Sequence, residues 1–167
     1  WSIVHAIDAR TGKALWTYDP KVPKSFGSKG CCDVVNRGVA IHEGKVFVAS
    51  YDGRLIALDA ATGKKLWENV FNVYLSDVPA ERVGWSAVIA DPASNTVFAH
   101  GVCGAFTAID AATGTTKWSF KAESAGFSSA AAVSTDPALP LVVVGDDTGI
   151  VRAFDRVTGT MAWQYAT

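Results

Sequence analysis

The 167-residue chain is poor in sulfur and has no long apolar run. It holds three cysteines and one methionine, and a stretch such as "LPLVVVG" (139–145) has the length of a strand, far from the roughly 20 residues of a membrane helix. No Cys-x2-Cys pair occurs, and Cys103 stands alone in "HGVCGAF", which argues against a cysteine metal site. A glycine-rich phosphate loop and a Gly-x-Ser-x-Gly elbow are both missing, so neither nucleotide binding nor that form of serine catalysis has its signature. Charge of one sign is lacking too. The net charge is −1, with Lys and Arg scattered along the chain, and no basic stripe marks a nucleic-acid partner. Hydrophobic residues make up 49% and charged residues 19%, enough to build the core of one globular domain.

What the chain has in quantity is repetition. "AIDARTGKALW" (6–16), "ALDAATGKKLW" (57–67), "AIDAATGTTKW" (108–118) and "AFDRVTGTMAW" (153–163) share Ala, an apolar residue, Asp, two residues, Thr-Gly, three residues and Trp. The tryptophans are 51, 51 and 45 residues apart. In each copy a strand such as "RLIALDA" leads into a tight turn. There the Asp side chain can accept backbone N–H groups and Gly permits a positive φ. Upstream lies a second apolar strand ("KVFVASYDG", "TVFAHGVCG", "LVVVGDDTG"), and upstream again a third ("RGVAIHEG", "WSAVIADPAS", "SSAAAVSTDP").

Four short antiparallel strands per unit, at this period, predict an all-β fold: a partial β-propeller of four-stranded blades. The strand count gives a half-blade at 1–20 and blades at approximately 31–70, 83–121 and 127–167, about three and a half in all. Trp67, Trp118 and Trp163 then occupy equivalent positions, with Trp16 in the half-blade, and all four pack between blades. "VFVAS", "LIALD", "VFAHG", "FTAID", "VVVG" and "VRAFD" form the core, each strand alternating its side chains. An open arc leaves apolar faces uncovered at both ends, so the chain reads as a piece of a longer propeller whose remaining blades are missing. By itself it is expected to be unstable or to associate.

"GCCDVVNRG" (30–38) places Cys31 and Cys32 side by side, ahead of Asp33, Asn36 and Arg37. Taken alone, the pair reads first as two small, buried, apolar thiols. In its surroundings, with "WSIVHAIDARTGKALWTYDPKVP" before it and "VAIHEGKVFVASYDGRLIALDAATGKKLWE" after it, the segment resembles the pyrroloquinoline quinone (PQQ) dependent alcohol and methanol dehydrogenases. The resemblance implies that Cys31 and Cys32 form a disulfide lying against one face of the quinone. Neighbouring Cα atoms sit about 3.8 Å apart, against the usual 4.4–6.8 Å of a disulfide, so such a ring is strained. It also implies that Arg37 pairs with the carboxylates of the cofactor, and that the protein is periplasmic, takes a small alcohol and passes electrons to a cytochrome or quinone. Asp33 and Asn36 are expected to hold the loop through backbone hydrogen bonds.

Beyond residue 70 the match becomes generic. The resemblance implies a calcium or lanthanide ion beside the quinone, but its ligands are not found here: "TVFAHGVCGAFTAID" has no acid before Asp110, the turn residue of the repeat. No catalytic base and no metal ligand can be assigned. Asp77, Glu81 and Asp91 are expected in solvated loops between blades, and His5, His42 and His100 in structural positions on strands and turns. A quinoprotein alcohol dehydrogenase and a non-catalytic PQQ-repeat propeller serving as a protein-interaction scaffold both remain open. The cysteine motif favours the first, and the absent acid favours the second.

Overall fold

The computed structural model describes residues 1–28, 35–71, 87–101, 104–122, 126–127 and 129–167. Among them are fourteen strands and one short 3₁₀ turn, Lys24–Ser28, with no α-helix. Strands β1 (Val4–Ile7) and β2 (Ala14–Tyr18) form a two-stranded half-blade. The first full blade is β3 (Val39–His42), β4 (Lys45–Ala49), β5 (Arg54–Asp59) and β6 (Lys65–Val70). The second is β7 (Ile89–Asp91), β8 (Thr96–His100), β9 (Ala105–Asp110) and β10 (Thr116–Lys121), and the third is β11 (Ala132–Val133), β12 (Leu141–Gly145), β13 (Ile150–Asp155) and β14 (Met161–Ala166). All neighbours are antiparallel and follow chain order. The first strands of successive blades, β3 and β7, lie against each other, so the blades converge along those edges. This is the partial propeller that the repeat predicts.

The eleven-residue pattern builds the turn into the outermost strand. One oxygen of Asp59 accepts the Ala61 and Thr62 amides at 3.1 and 2.8 Å and the Thr62 hydroxyl at 2.7 Å. These donors, the Thr62 hydroxyl foremost, hold the Asp59 carboxyl below its ordinary range. Asp8, Asp110 and Asp155 repeat the arrangement. A bulge follows in every copy: Ala57 pairs with Trp67 but Leu58 with Lys65, which leaves Leu66 unpaired. The same shift leaves Leu15, Lys117 and Ala162 out of register. One extra residue bends the outer strand and sharpens its twist.

The turn glycine is the contact point between blades. A Cβ on Gly63 would stand 2.6 Å from the Trp16 indole, one on Gly114 2.6 Å from Trp67, and one on Gly159 2.6 Å from Trp118. Each tryptophan therefore lies flat on the turn of the following blade, where a bare glycine alone leaves room. Trp16 and Trp118 also donate their indole N–H to the Ala60 and Arg156 carbonyls of that turn, at 3.0 and 3.2 Å.

Between these docks the first two full blades are covered on both faces. Phe47, Ala49, Leu55 and Ala57 pack with Val97, Ala99 and Ile109 of the following blade. Val46, Val48, Ile56 and Leu58 pack with Val4 and Trp16 of the half-blade. All of β4 after Lys45, and β5 between its end residues, is buried. The alternation in sequence thus sorts side chains between two neighbouring blades rather than between core and solvent.

Two glycine substitutions separate the dock from the backbone. Gly44→Ala meets no described atom within 4 Å and carries only the left-handed backbone cost of about 1–2 kcal/mol. Gly114→Ala, with a similar positive φ, also strikes the Trp67 ring and is expected to cost about 3 kcal/mol or more. Urea unfolding at unchanged m-value reads the difference; equal losses would contradict the dock.

Candidate functional site at the inner mouth

In each full blade the chain enters the first strand at one end, returns to that end along the second strand, and turns there into the third. That end gathers the loops leading into β3, β7 and β11 together with the turns after β4, β8 and β12. The Asp-Thr-Gly turns lie at the opposite end. One face of the arc is thereby given to the docks, and the other is left to the loops.

Two of the mouth turns are held by an acid and an arginine. Asp52 accepts from Arg54 Nε at 2.9 Å and from the Ser50 hydroxyl at 2.5 Å, and Arg54 also donates to the Pro20 carbonyl at 2.8 Å. In the third full blade Asp146 accepts from Arg152, from the Thr148 amide and hydroxyl, and from the Ile150 amide. Burial by itself would push the Asp146 carboxyl up. The Arg152 guanidinium and the Thr148 and Ile150 donors outweigh it and hold the group at about 2.

Arg37 differs. It lies in the loop leading into β3, exposed, and makes no hydrogen bond or ion pair with a described residue. Asn36 shapes that loop as the sequence predicts: its amide donates to the Ala49 carbonyl at 2.8 Å, and its side-chain oxygen accepts the Gly38 amide at 2.8 Å. Gly38 follows at φ +101°. The guanidinium is thus presented at the inner edge of the blade, and no described acid neutralises it, an arrangement that suits a carboxylate-bearing ligand. Cys31, Cys32 and Asp33, the rest of the expected cofactor motif, lie outside the described residues, as do Cys103, Asp77 and Glu81.

Asp91 departs from expectation. It is the last residue of β7 and is 3% exposed rather than solvated in a loop. It accepts the Ala93 amide at 3.1 Å and the Ser94 hydroxyl, and pairs with Arg156 Nε at 3.5 Å. Arg156 belongs to the turn after β13, so this acid ties two blades together at the end away from the mouth. Burial of the carboxylate is tolerated because two neutral donors and the Arg156 guanidinium meet it.

His100 is the mouth residue whose role sequence reasoning missed. It ends β8, is 1% exposed, and donates from Nδ1 to the Phe127 carbonyl at 2.9 Å. The Phe127 amide in turn donates to the Gly101 carbonyl at 3.3 Å, so consecutive residues of one blade grip the lead-in loop of the next. Desolvation, with the Arg37 charge adding to it, holds the imidazole down at about 4. The side chain is neutral at neutral pH and sits within electrostatic reach of Arg37. Its equivalents are the small residues Ala49 and Gly145, and that departure from the repeat was the available signal.

For an anionic quinone, Arg37, paired with no described acid, is a fitting partner. For a divalent ion, no group of three His, Cys, Asp or Glu is gathered among the described residues, so no metal-dependent step is assigned to them.

Comparison with known proteins places this geometry. The family model PQQ_2, described as outer membrane protein assembly factor BamB, matches residues 2–167. A quinohemoprotein alcohol dehydrogenase of Comamonas testosteroni is 54% identical over 122 residues, 71% of this chain and 17% of that protein. A 1-butanol dehydrogenase (cytochrome c) of Thauera butanivorans is 71% identical over 68 residues, 41% of this chain and 10% of that protein. The crystal structure of the Comamonas testosteroni enzyme superposes at a TM-score of 0.83 over 99% of this chain and 32% of that one, with 31% identity over that longer alignment. The match thus spans between 10% and 17% of the length of these curated relatives.

The buried histidine gives a pH test. In the folded chain His100 stays neutral down to about 4, against an ordinary 6.5, so the unfolded chain takes up the proton first as pH falls. Stability is therefore expected to decline from about pH 6.5 towards pH 4. His100→Gln, which can keep the bond to Phe127, should flatten the upper part of that decline in urea-unfolding midpoints. A variant with the wild-type slope would contradict the assignment.

Proposed function

The chain belongs to the PQQ_2 family of β-propeller repeats, and we propose that it is the section of a PQQ-dependent alcohol dehydrogenase propeller that supplies one wall of the quinone pocket. The observation that carries this reading is Arg37, exposed at the inner mouth on a loop shaped by Asn36 and free of any described acid. The relatives named as alcohol dehydrogenases support it.

When bound, the quinone accepts two electrons from the alcohol carbon. This chain's residues bind and orient it. Arg37 meets a cofactor carboxylate with its planar fork, and Asn36 and Gly38 hold the loop that carries it. Cys31 and Cys32 are proposed to be bonded to each other and to lie against one face of the quinone ring. His100, neutral beneath the mouth, adds no second cation beside Arg37. The substrate is a small alcohol, and the acceptor is a cytochrome or quinone, in the periplasm. The base for the hydroxyl proton and the ligands of the calcium or lanthanide ion are assigned to other parts of the propeller.

The scaffold reading has, besides the absent acid, the matching family model in its favour, which carries the description of an assembly factor. Cofactor binding separates the two. In the full-length protein, Arg37→Gln removes a charge-assisted pair and is expected to weaken PQQ binding about tenfold or more. Replacing Cys31 and Cys32 together by Ser should also weaken it, whereas Cys103→Ser should leave it unchanged. PQQ titration of the apoprotein, followed by fluorescence quenching, reads all three. Wild-type affinity in both the Arg37 variant and the double cysteine variant would overturn the quinone reading and favour the scaffold.

A further inference from the structure

The turn between β4 and β5 holds the incoming chain at two places, Pro20 and Asn36. Arg54, the first residue of β5, donates from Nη2 to the Pro20 carbonyl at 2.8 Å. Asn36 donates its side-chain amide to the carbonyl of Ala49, the last residue of β4, also at 2.8 Å. Pro20 and Val22 are buried. Arg37 follows directly on Asn36, so one turn fixes both where the chain leaves the half-blade and where it delivers this guanidinium.

Asp52 holds the Arg54 fork in the plane that reaches Pro20. It accepts from Nε at 2.9 Å and from Nη2 at 2.7 Å, and from the Ser50 hydroxyl on its other oxygen. The Ser50 amide closes the turn on the Arg54 carbonyl at 2.7 Å. Neither member of the pair belongs to the repeat. Ile3, Ala105 and Ile150 stand where Arg54 stands in the other copies, and Cys103 and Thr148 stand where Asp52 stands in the other full blades. Arg152 in the third full blade also meets an acid, Asp146, but its guanidinium lies 5.5 Å from the centre of the Phe120 ring and donates to no backbone carbonyl among the described residues. Only the Arg54 fork reaches out of its own turn to the chain that leads to Arg37.

We propose that Arg54, oriented by Asp52, is a positioning residue for the quinone: by tying Pro20 to the turn that also receives Asn36, it sets the Arg37 guanidinium in place before the cofactor carboxylate arrives. This role rests on the quinone reading of Arg37 and deepens it. A loop fixed beforehand in its binding form strengthens binding because less ordering remains to be done. Arg54 then has no need to touch the cofactor. Its contribution runs through Arg37, and two residues that act through one another show non-additive losses.

Variants of the full-length protein test it by two readouts. Arg54→Gln is too short to span Asp52 and Pro20 together. Asp52→Asn keeps the shape of the turn and removes the charge that orients Arg54. Asp59→Ala, which breaks the turn at the opposite end of the same blade, is the control for lost stability. In the apoprotein, hydrogen exchange of the amides of residues 21–28 should quicken in both mouth variants and stay at the wild-type rate in Asp59→Ala. In PQQ titrations, both mouth variants should bind about threefold or more weakly, and Asp59→Ala as wild type. Added to Arg37→Gln, Arg54→Gln should cost much less than it does alone. Wild-type exchange and affinity in both mouth variants, beside a weakened Arg37→Gln, would overturn the positioning role and leave the quinone reading standing. Equal losses from Arg54→Gln with and without Arg37 would overturn it as well. Wild-type affinity in Arg37→Gln itself would remove the positioning role together with its premise.

Discussion

An indole ring laid on a bare glycine is the contact on which the rest of this structure depends. A single repeat unit of four short strands cannot bury its apolar faces by itself. Each blade becomes stable by burying both faces between neighbours, and the dock sets where the neighbour sits. Gly63, Gly114 and Gly159 combine a positive φ with a ring 2.6 Å from the place of a Cβ, so glycine is required there twice over. The bulge before each tryptophan and the Asp-centred turn serve the same contact, one aiming the indole and the other holding the turn that receives it. Removing the ring would leave the apolar residues of β4, β5, β8 and β9 without a fixed partner.

Concentrating the joints at the rim has a consequence at the other end of the blades. The loops at the mouth carry less of the packing and are free to differ. The first and third full blades use Asp52–Arg54 and Asp146–Arg152 to lock their mouth turns, while the second places the buried, carbonyl-bound His100 beside Gly101. Arg37 sits among these turns with its charge unanswered by any described acid. In a repeat protein, a repeated feature carries architecture, and a departure from it at one end of the array is where binding chemistry has room to appear.

The repeat made most of the architecture legible. Asp, Thr, Gly and Trp each have one physical task at one position, and four copies in register leave little freedom for another fold. Strand order followed from the spacing, and Asn36 could be read as a loop holder because its side-chain oxygen accepts from the backbone two residues on; its bond to Ala49 could not. What was hidden depends on contacts across blades. Asp91 looked like a surface acid because its partner, Arg156, belongs to the next blade, and sequence distance conceals such a pair. His100 was visible only as an odd residue where Ala49 and Gly145 are small, and its burial depends on Phe127 arriving from the neighbouring loop. The alternation of β4 and β5 was real, but both faces proved to be core because propeller blades have no solvent face over their middle strands.

The central claim is that the indole–glycine docks order the blades, and the glycine α-protons report it most directly. In the Trp163→Ala variant, which removes the fourth indole, proton NMR should find the α-proton that stands in place of a Cβ strongly shielded by ring current at Gly63, Gly114 and Gly159. Gly12, with no described atom within 4 Å in that direction, should resonate at an ordinary position. Four glycines with the same unshielded shift would contradict the account.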